Sequence, residues 1–414
     1  MNSAEYNPVN TAESTAPAFE KVVPIIQPNL PDWRSLETRL RDIYESRMLT
    51  NSRTVEELER KFASFLGVKR VVALSSCTAG LILTMKSLGI KGEVIVPSFT
   101  FSATGHSIFW AGARPVFVEC DAETWNISPE AVREAVTDQT EAILAVHIFG
   151  NPAPVRILED IADEFDLPLI FDSAHGFGGS VGSKRIGNFG TAEIFSLSPT
   201  KLLTGGEGGL LATSDENLAD RISALRNYGH ASAGYDCFAP GINARMPEFN
   251  AAMLLEGLPL VDNEIIIREK LSGIYREALS TLPGISFQKI EEDNQHTYKD
   301  FTILIDPGKF GMDRDRLHLL LDRENIQTKK YFYPPLHLQS AYTGRDWRST
   351  DLSFTEKLSE NVLTLPLYSA LGTEGVRKIA ETIVKIHNSA ASEIIRKAVT
   401  RETLEKDSAV QEVY

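Results

Sequence analysis

Phe195-Ser196-Leu197-Ser198-Pro199-Thr200-Lys201-Leu202-Leu203-Thr204-Gly205-Gly206-Glu207-Gly208-Gly209 is an apolar run ending in Ser, a Lys five residues later in a loop, and a glycine-rich tail. Roughly thirty residues upstream stands Phe171-Asp172-Ser173-Ala174-His175-Gly176. A strand ending in Asp, followed by a strand carrying Ser ahead of a loop Lys, matches the needs of pyridoxal 5'-phosphate (PLP) chemistry. The Lys amine can form a Schiff base with the cofactor aldehyde. The Asp can pair with the protonated pyridine nitrogen and keep the ring an electron sink. The Ser hydroxyl can donate to the cofactor phosphate. A loop Lys is ordinarily solvated surface, and an Asp at a strand end can simply cap the next segment. What distinguishes Lys201 and Asp172 is their order, with Ser196 and a tail whose glycines allow close backbone approach.

Working outward, short apolar runs alternate with helical stretches from Val71 to Thr213. The expected strands are Val71–Leu74, Glu93–Val96, Pro115–Val118, Ala142–Val146, Leu169–Phe171, Ile194–Leu197 and Gly209–Thr213. Thr78 to Leu88 reads as a helix, and Val155, Leu158, Ile161, Ala162 and Phe165 share one helix face. Nearly continuous apolar strands alternating with helices predict an α/β protein with a mainly parallel central sheet sandwiched by helices. Ligands in such sheets bind beyond the carboxyl ends of strands, where Asp172 falls.

Residues from about 32 to 66 look helical, with Leu58, Phe62, Phe65 and Leu66 at helical spacing. After about residue 260 the texture changes. Helical stretches at 264–281 and 372–387 bracket strand-like runs at 302–305 and 327–332, which predicts a smaller α+β C-terminal domain. The expected division is an N-terminal arm (1–30), a large α/β domain (31–260), a small domain (261–388) and a polar tail (389–414).

The chain has 414 residues, 43% hydrophobic and 24% charged, as in ordinary soluble globular proteins. A formal charge of −14 argues against a nucleic-acid partner, while leaving room for small anions bound by a few local groups. Cys77, Cys120 and Cys237 form no C-x-x-C pair and read as reduced thiols. The first residues lack a basic and apolar leader, and no apolar run approaches the ~20 residues of a membrane span. These features point to a cytoplasmic protein with no membrane partner. The eight His show no H-E-x-x-H and no metal spacing with Cys, so no metal is expected.

Other segments add candidates. At Ser75-Ser76-Cys77-Thr78-Ala79-Gly80 a strand turns into a helix, and the free N–H groups there, with the Thr78 hydroxyl, form an anion site suited to a phosphate. In Pro97-Ser98-Phe99-Thr100-Phe101 an aromatic can stack on a pyridine ring or fill the core. His175 is either a packing residue or a contact to the cofactor's phenolic oxygen. Gly178-Gly179-Ser180-Val181-Gly182 matches a serine-hydrolase elbow literally. Its sequel, Ser183 to Asn188, has no helical apolar face, so a turn is expected.

Taken together, the chain resembles the DegT/DnrJ/StrS-type PLP-dependent sugar aminotransferases over about residues 48 to 385. The turn at 75–80, Pro97–Thr104, Gly112–Phe117, Val146–Gly150, Phe171–Gly176, Phe195–Gly209, Gly241–Met246 and Tyr333–His337 carry the resemblance. It implies the type I aminotransferase fold and a homodimer with shared active sites. Thr78, Ala79, Ser196 and a partner chain's Asn243 would bind the cofactor phosphate, with Cys77 among the other cofactor-binding residues. Phe101, rather than Phe99, would stack on the ring. His147, Arg245, Tyr331 and His337 would meet the substrate. It implies L-glutamate as donor and a nucleotide-linked keto sugar as acceptor, with Lys201, Asp172 and His175 catalytic and pyridoxamine phosphate as the intermediate carrier. Many members have Gly at the position of Cys77 and a Gln-type residue at that of His175. The His175 form, with Val146-His147 and Tyr331-Phe332, is similar to C4 aminotransferases acting on dTDP-4-keto-6-deoxyglucose. A dehydratase branch replaces the Lys by His, and Lys201 argues against that branch. A 3-keto-sugar or cyclitol aminotransferase, and a PLP-binding regulatory protein without turnover, remain as alternatives.

Overall fold

The structure, a computed structural model, describes residues 16–230 and 235–389. The beginning of the expected arm and nearly all of the expected tail lie outside the described residues. The helical region expected at 32–66 is two helices. Helix α1 (Trp33–Ser46) opens at Asp32, whose carboxylate accepts from the Arg34 and Ser35 N–H groups, and ends at Arg47 in the left-handed conformation. Helix α2 (Arg53–Leu66) buries Val55, Leu58, Phe62 and Leu66 on one face and stops at Gly67. The buried Glu248 carboxylate takes the free N–H groups of Ser52 and Thr54 at 2.7 and 2.8 Å and so ties the start of α2 to a distant helix.

Fourteen strands follow among the described residues: β1 (Arg70–Leu74), β2 (Glu93–Pro97), β3 (Arg114–Val118), β4 (Thr140–Val146), β5 (Leu169–Asp172), β6 (Ser180–Val181), β7 (Lys184–Arg185), β8 (Ala192–Ser196), β9 (Gly209–Thr213), β10 (Ile285–Phe287), β11 (Asn294–Gln295), β12 (Phe301–Ile305), β13 (Arg348–Ser349) and β14 (Val362–Leu365). Eight form the central sheet in the order β1-β9-β8-β5-β4-β2-β3-β13. Its pairs are parallel except for β9, which runs against both β1 and β8.

Alternate residues of each strand enter opposite cores. Val71, Ile95, Ile143, Phe171 and Leu210 lie in one cluster; Val72, Val94, Leu144, Ile170 and Leu211 lie in the other. A strand buried on both faces needs apolar side chains at every position, which is why these segments read as unbroken apolar runs.

A second, antiparallel sheet, β10-β12-β14, packs with helices Val261–Leu279, Arg314–Arg323 and 372–389 around its own cluster, including Leu271, Tyr275, Ile303, Leu363 and Ile379. Val23, from the expected arm, is buried in that cluster and bridges Ile326. The run 327–332 forms no strand; Lys329 makes an isolated bridge to Thr364 before the chain turns at Tyr331. Late in the chain, β13 joins the edge of the large sheet beside β3, where Arg348 Nε donates to Glu93 Oε1 at 2.8 Å. The segment around Ser180 is a hairpin, β6–β7 turning at Gly182, and not a strand-to-helix elbow.

Candidate active site

Asp172 is the last residue of β5, Ser196 the last of β8, and Pro97 the last of β2, so the sheet delivers these segments to one edge. Helix α3 (Cys77–Leu88) begins there after β1, with the Ser76 hydroxyl accepting from the Ala79 N–H at 3.1 Å. Thr78 remains partly exposed in its first turn. The glycine tail explains how β9 reaches this turn. A Cβ on Gly209 would lie 2.3 Å from the Ser76 carbonyl carbon and 2.5 Å from the Cys77 nitrogen, so only glycine permits the approach. The Lys201 loop is pinned by backbone bonds from Leu197 N–H to Gly208 C=O (2.9 Å) and from Gly205 N–H to Leu197 C=O (3.0 Å).

Asp172 is buried, 5% exposed, and no described cation lies within ion-pair distance of it. Its Oδ2 accepts from Thr104 Oγ1 at 2.7 Å; its Oδ1 accepts from the Ala174 N–H at 3.2 Å and faces Cys77 Sγ at 3.6 Å. Burial, and next the Asp172 charge, push the Cys77 thiol well up, so it faces the carboxylate as a neutral S–H. A buried carboxylate costs several kcal/mol unless compensated, while each hydrogen bond to a charged group returns about 1.5–3 kcal/mol. Three neutral donors, one of them a weak thiol, leave room for a cationic partner.

Lys201 faces the same space. Burial, and next the charge of Lys299, push its amine down to about 8, which makes free base available near neutral pH. Burial first, and then the Lys201 charge, hold His175 well below the ordinary imidazole range, so it is neutral. Its Nδ1 is buried without a partner among the described residues, and its ring stacks on Phe332 at 6.4 Å and 13°. Phe101, the residue preceding helix α4 (Ser102–Ala111), is 56% exposed, with its ring 6.4 Å from that of Phe332. Phe99 is fully buried against Phe149 and Phe332 and has no free face. Ser196 is partly exposed, its hydroxyl 3.4 Å from that of Ser198.

These donors fit PLP. A neutral-capable amine, a buried carboxylate lacking a cation, a helix start with hydroxyls for a phosphate and an exposed aromatic face lie at one edge of the sheet. Ala79, although buried, opens the same helix turn.

Not every expected residue joins this group. His147 is fully buried: its Nδ1 accepts from the Ala153 N–H at 2.9 Å, its Nε2 lies 3.3 Å from Glu193, and its ring stacks on Phe171 at 5.0 Å. Its ring packs on β5, and it is not brought to the group of residues above, where a substrate contact was expected. His337 has both nitrogens engaged, Nδ1 with Ser98 Oγ at 2.7 Å and Nε2 with Glu356 at 3.2 Å, and its side chain is 6% exposed. It fixes the loop after Pro335 onto the β2 end, and its expected role as a direct sugar contact has no free ring nitrogen to rest on.

Asn243 and Arg245 flank Ala244, whose carbonyl accepts from the Ser75 N–H at 2.8 Å, so they lie beside the 75–80 turn, Asn243 exposed and Arg245 partly so. Arg245 donates to Asn243 at 3.1 Å and to Asn227 at 3.2 Å and lies over Tyr228. Tyr331 stacks on Phe332 at 5.3 Å, and through it adjoins His175 and Phe101 in one aromatic wall. The sequence reading missed Thr104 and the ion pair of Lys299 and Asp300 behind Tyr331. Two charges directly ahead of apolar β12 were the available signal. An open cleft of about 630 Å³ among Lys91, Arg114, Gln139 and Arg345 lies at the opposite ends of β2 and β3 and contains none of these groups. Among the described residues no His/Cys/Asp/Glu group could hold a metal, and no helix is long and apolar enough to cross a membrane.

Comparison with known proteins agrees with this geometry. The family described as the DegT/DnrJ/EryC1/StrS aminotransferase family matches residues 34–384. A dTDP-4-amino-4,6-dideoxy-D-glucose transaminase of Escherichia coli is 35% identical over 370 residues, covering 88% of this chain and 99% of that protein. A dTDP-3-amino-3,6-dideoxy-alpha-D-galactopyranose transaminase of Aneurinibacillus thermoaerophilus is 31% identical over 86% of this chain and 96% of its own. The crystal structure of DesI in the presence of its TDP-sugar product superposes with a TM-score of 0.85 at 35% identity, covering 93% of this chain and 97% of that one.

Proposed function

Because this chain belongs to the DegT/DnrJ/EryC1/StrS aminotransferase family, we propose that it moves an amino group from L-glutamate to the keto carbon, at C4, of a nucleotide-linked 4-keto-6-deoxysugar, with PLP as cofactor. The observation that carries this reading is Asp172, a buried carboxylate without a described cation, set at the same sheet edge as a Lys201 amine held near 8. The assignment to C4 rests on the likeness to the Escherichia coli enzyme and to DesI.

When bound, PLP supplies an electrophilic carbon that takes up the amino group and a ring that accepts electrons from the carbon being deprotonated. Asp172 holds a proton on the ring nitrogen. Thr104 and the Ala174 N–H fix the carboxylate's direction. Thr78, Ser196 and the first turn of α3 would bind the phosphate, and Phe101 would offer its exposed face to the ring. Lys201 anchors the cofactor through its amine. The same amine, as free base, would take a proton from the substrate carbon and return it during the transfer. Neutral His175 offers its unpartnered Nδ1 to the cofactor's phenolic side.

Asn243 and Arg245 serve the site of a second copy in a homodimer. The exposure of Asn243 and the partial exposure of Arg245, together with the exposure of Tyr228, Phe238 and Ile242 in the same region, support this arrangement.

The test is a pair of half-reactions. Protein loaded with PLP absorbs in the visible, L-glutamate bleaches the band, and a keto-sugar nucleotide restores it while yielding an aminated sugar identified by mass and NMR. A panel of 3-keto, 4-keto and cyclitol acceptors decides the position. A band indifferent to glutamate supports the regulatory alternative and overturns the proposal.

A further inference from the structure

Lys299 is 4% exposed and immediately precedes its partner Asp300 at the start of β12. Among the described residues its ammonium makes one hydrogen bond, to Asp300 Oδ1 at 2.8 Å. Three N–H donors are present, so two remain unspent in a buried setting. Asp300 Oδ2 is likewise buried without a partner. The ammonium lies 5.8 Å from the Tyr331 ring centroid, Tyr331 stacks on Phe332, and Phe332 stacks on His175. Lys299 therefore stands directly behind the Tyr331 ring, next to the site, and among the neighbouring charges its own is the one that most strongly disfavours protonation of Lys201.

A buried cation with unspent donors calls for an anion. Two anions enter a site of the proposed kind. In an α-amino acid the carboxylate is bonded to the carbon whose amino group is transferred. In a nucleotide-linked sugar the diphosphate is separated from a ring keto carbon by the sugar ring and the glycosidic oxygen. A cation whose field reaches the reacting amine is placed for the first of these.

We propose that Lys299, steadied by Asp300 over the Tyr331 ring, is the subsite that binds the α-carboxylate of the amino donor. This inference rests on the aminotransferase reading above. Asp300 keeps the empty subsite neutral, and the donor carboxylate takes the remaining ammonium N–H groups. Specificity for an α-amino acid over a simple amine follows from the same contact.

The experiment titrates the full-length, PLP-loaded protein with L-glutamate and with L-isoglutamine, the α-amide, following the visible band. Calorimetry of 2-oxoglutarate binding runs in parallel. Wild type is expected to respond to glutamate at a concentration roughly ten- to a hundredfold lower than to isoglutamine, the effect of one charge-assisted hydrogen bond. Lys299→Met is expected to erase that ratio and weaken 2-oxoglutarate by a similar factor. Lys299→Arg is expected to keep most of the preference. Lys299→Gln replaces Lys299→Met if the latter does not fold. Equal response of wild type to both donors, or an undiminished ratio in the neutral variants, overturns the inference. Absence of any glutamate response in wild type instead overturns the aminotransferase reading, so the two failures are distinct.

Discussion

Thr104 Oγ1 donates to Asp172 Oδ2 at 2.7 Å. The two residues sit on separate strand-to-helix units, α4 and β5, and the bond joins them across the edge of the sheet. It is the shortest of the carboxylate's contacts, and all of its donors are neutral. Asp172 is thereby aimed without being neutralised, which is what a partner for a protonated ring nitrogen must be.

Removing that aim is expected to weaken cofactor binding. Thr104→Val deletes one hydrogen bond to a charged group, about 1.5–3 kcal/mol. The PLP dissociation constant, measured by absorbance titration, should rise roughly ten- to a hundredfold, since ~1.4 kcal/mol is a factor of ten. Thr104→Ser, which keeps the hydroxyl, should bind near the wild-type value. Unchanged binding in Thr104→Val would show that Asp172 is oriented by other means.

The Lys201 amine gives a pH dependence with a definite sign. Burial, then Lys299, lowers its folded value from 10.5 to about 8. The amine is ammonium below about 8 and nucleophilic free base above. The rate at which cofactor-free protein captures PLP should therefore climb as pH rises through about 8 and level off above it. Between about 8 and 10.5 the unfolded chain binds the extra proton, so the cofactor-free protein should also gain stability with rising pH across that window. A capture rate still climbing toward pH 10 would contradict the lowered value.

Gly209→Ala tests the packing of β9 against the phosphate turn. Its Cβ would meet backbone atoms of Ser76 and Cys77, which cannot swing aside as a flexible side chain can. A loss of about 1–3 kcal/mol in denaturant unfolding is expected, as for overpacked cores, together with weaker PLP binding. Retention of both would mean that the turn yields easily.

His147→Ala separates support from contact. Its ring nitrogens serve the Ala153 N–H and Glu193, inside the protein. Stability should fall by about 1–3 kcal/mol, the cost of stranding a buried polar group, while KM for the nucleotide sugar stays unchanged. A raised KM with intact stability would restore the substrate role.

Much of this architecture was legible in the chain. Strands such as Ala142–Val146 and Leu169–Asp172 are apolar on both faces because both faces are covered, and that signal is local. Asp172, Ser196 and Lys201 stood out because strand ends project to one edge. The direction in which a ring turns is not local. His147 follows β4 as a site residue would, yet its ring folds inward onto Phe171. His337 turns back onto Ser98. Thr104 closed the Pro97–Thr104 block without a role of its own, and only tertiary packing sets it against Asp172. Lys299 is far from Lys201 in the chain, and only the return of the second sheet brings its charge to bear on that amine. Residues 327–332 read as a strand from their β-forming composition, but the chain there spends its backbone on one bridge and a turn.

The most direct test is chemical trapping. Protein equilibrated with PLP is treated with borohydride, digested, and mapped by mass spectrometry. The account predicts the pyridoxyl group on the peptide carrying Lys201 and its absence from the Lys201→Ala variant. A label on Lys299, or on no lysine, would contradict it.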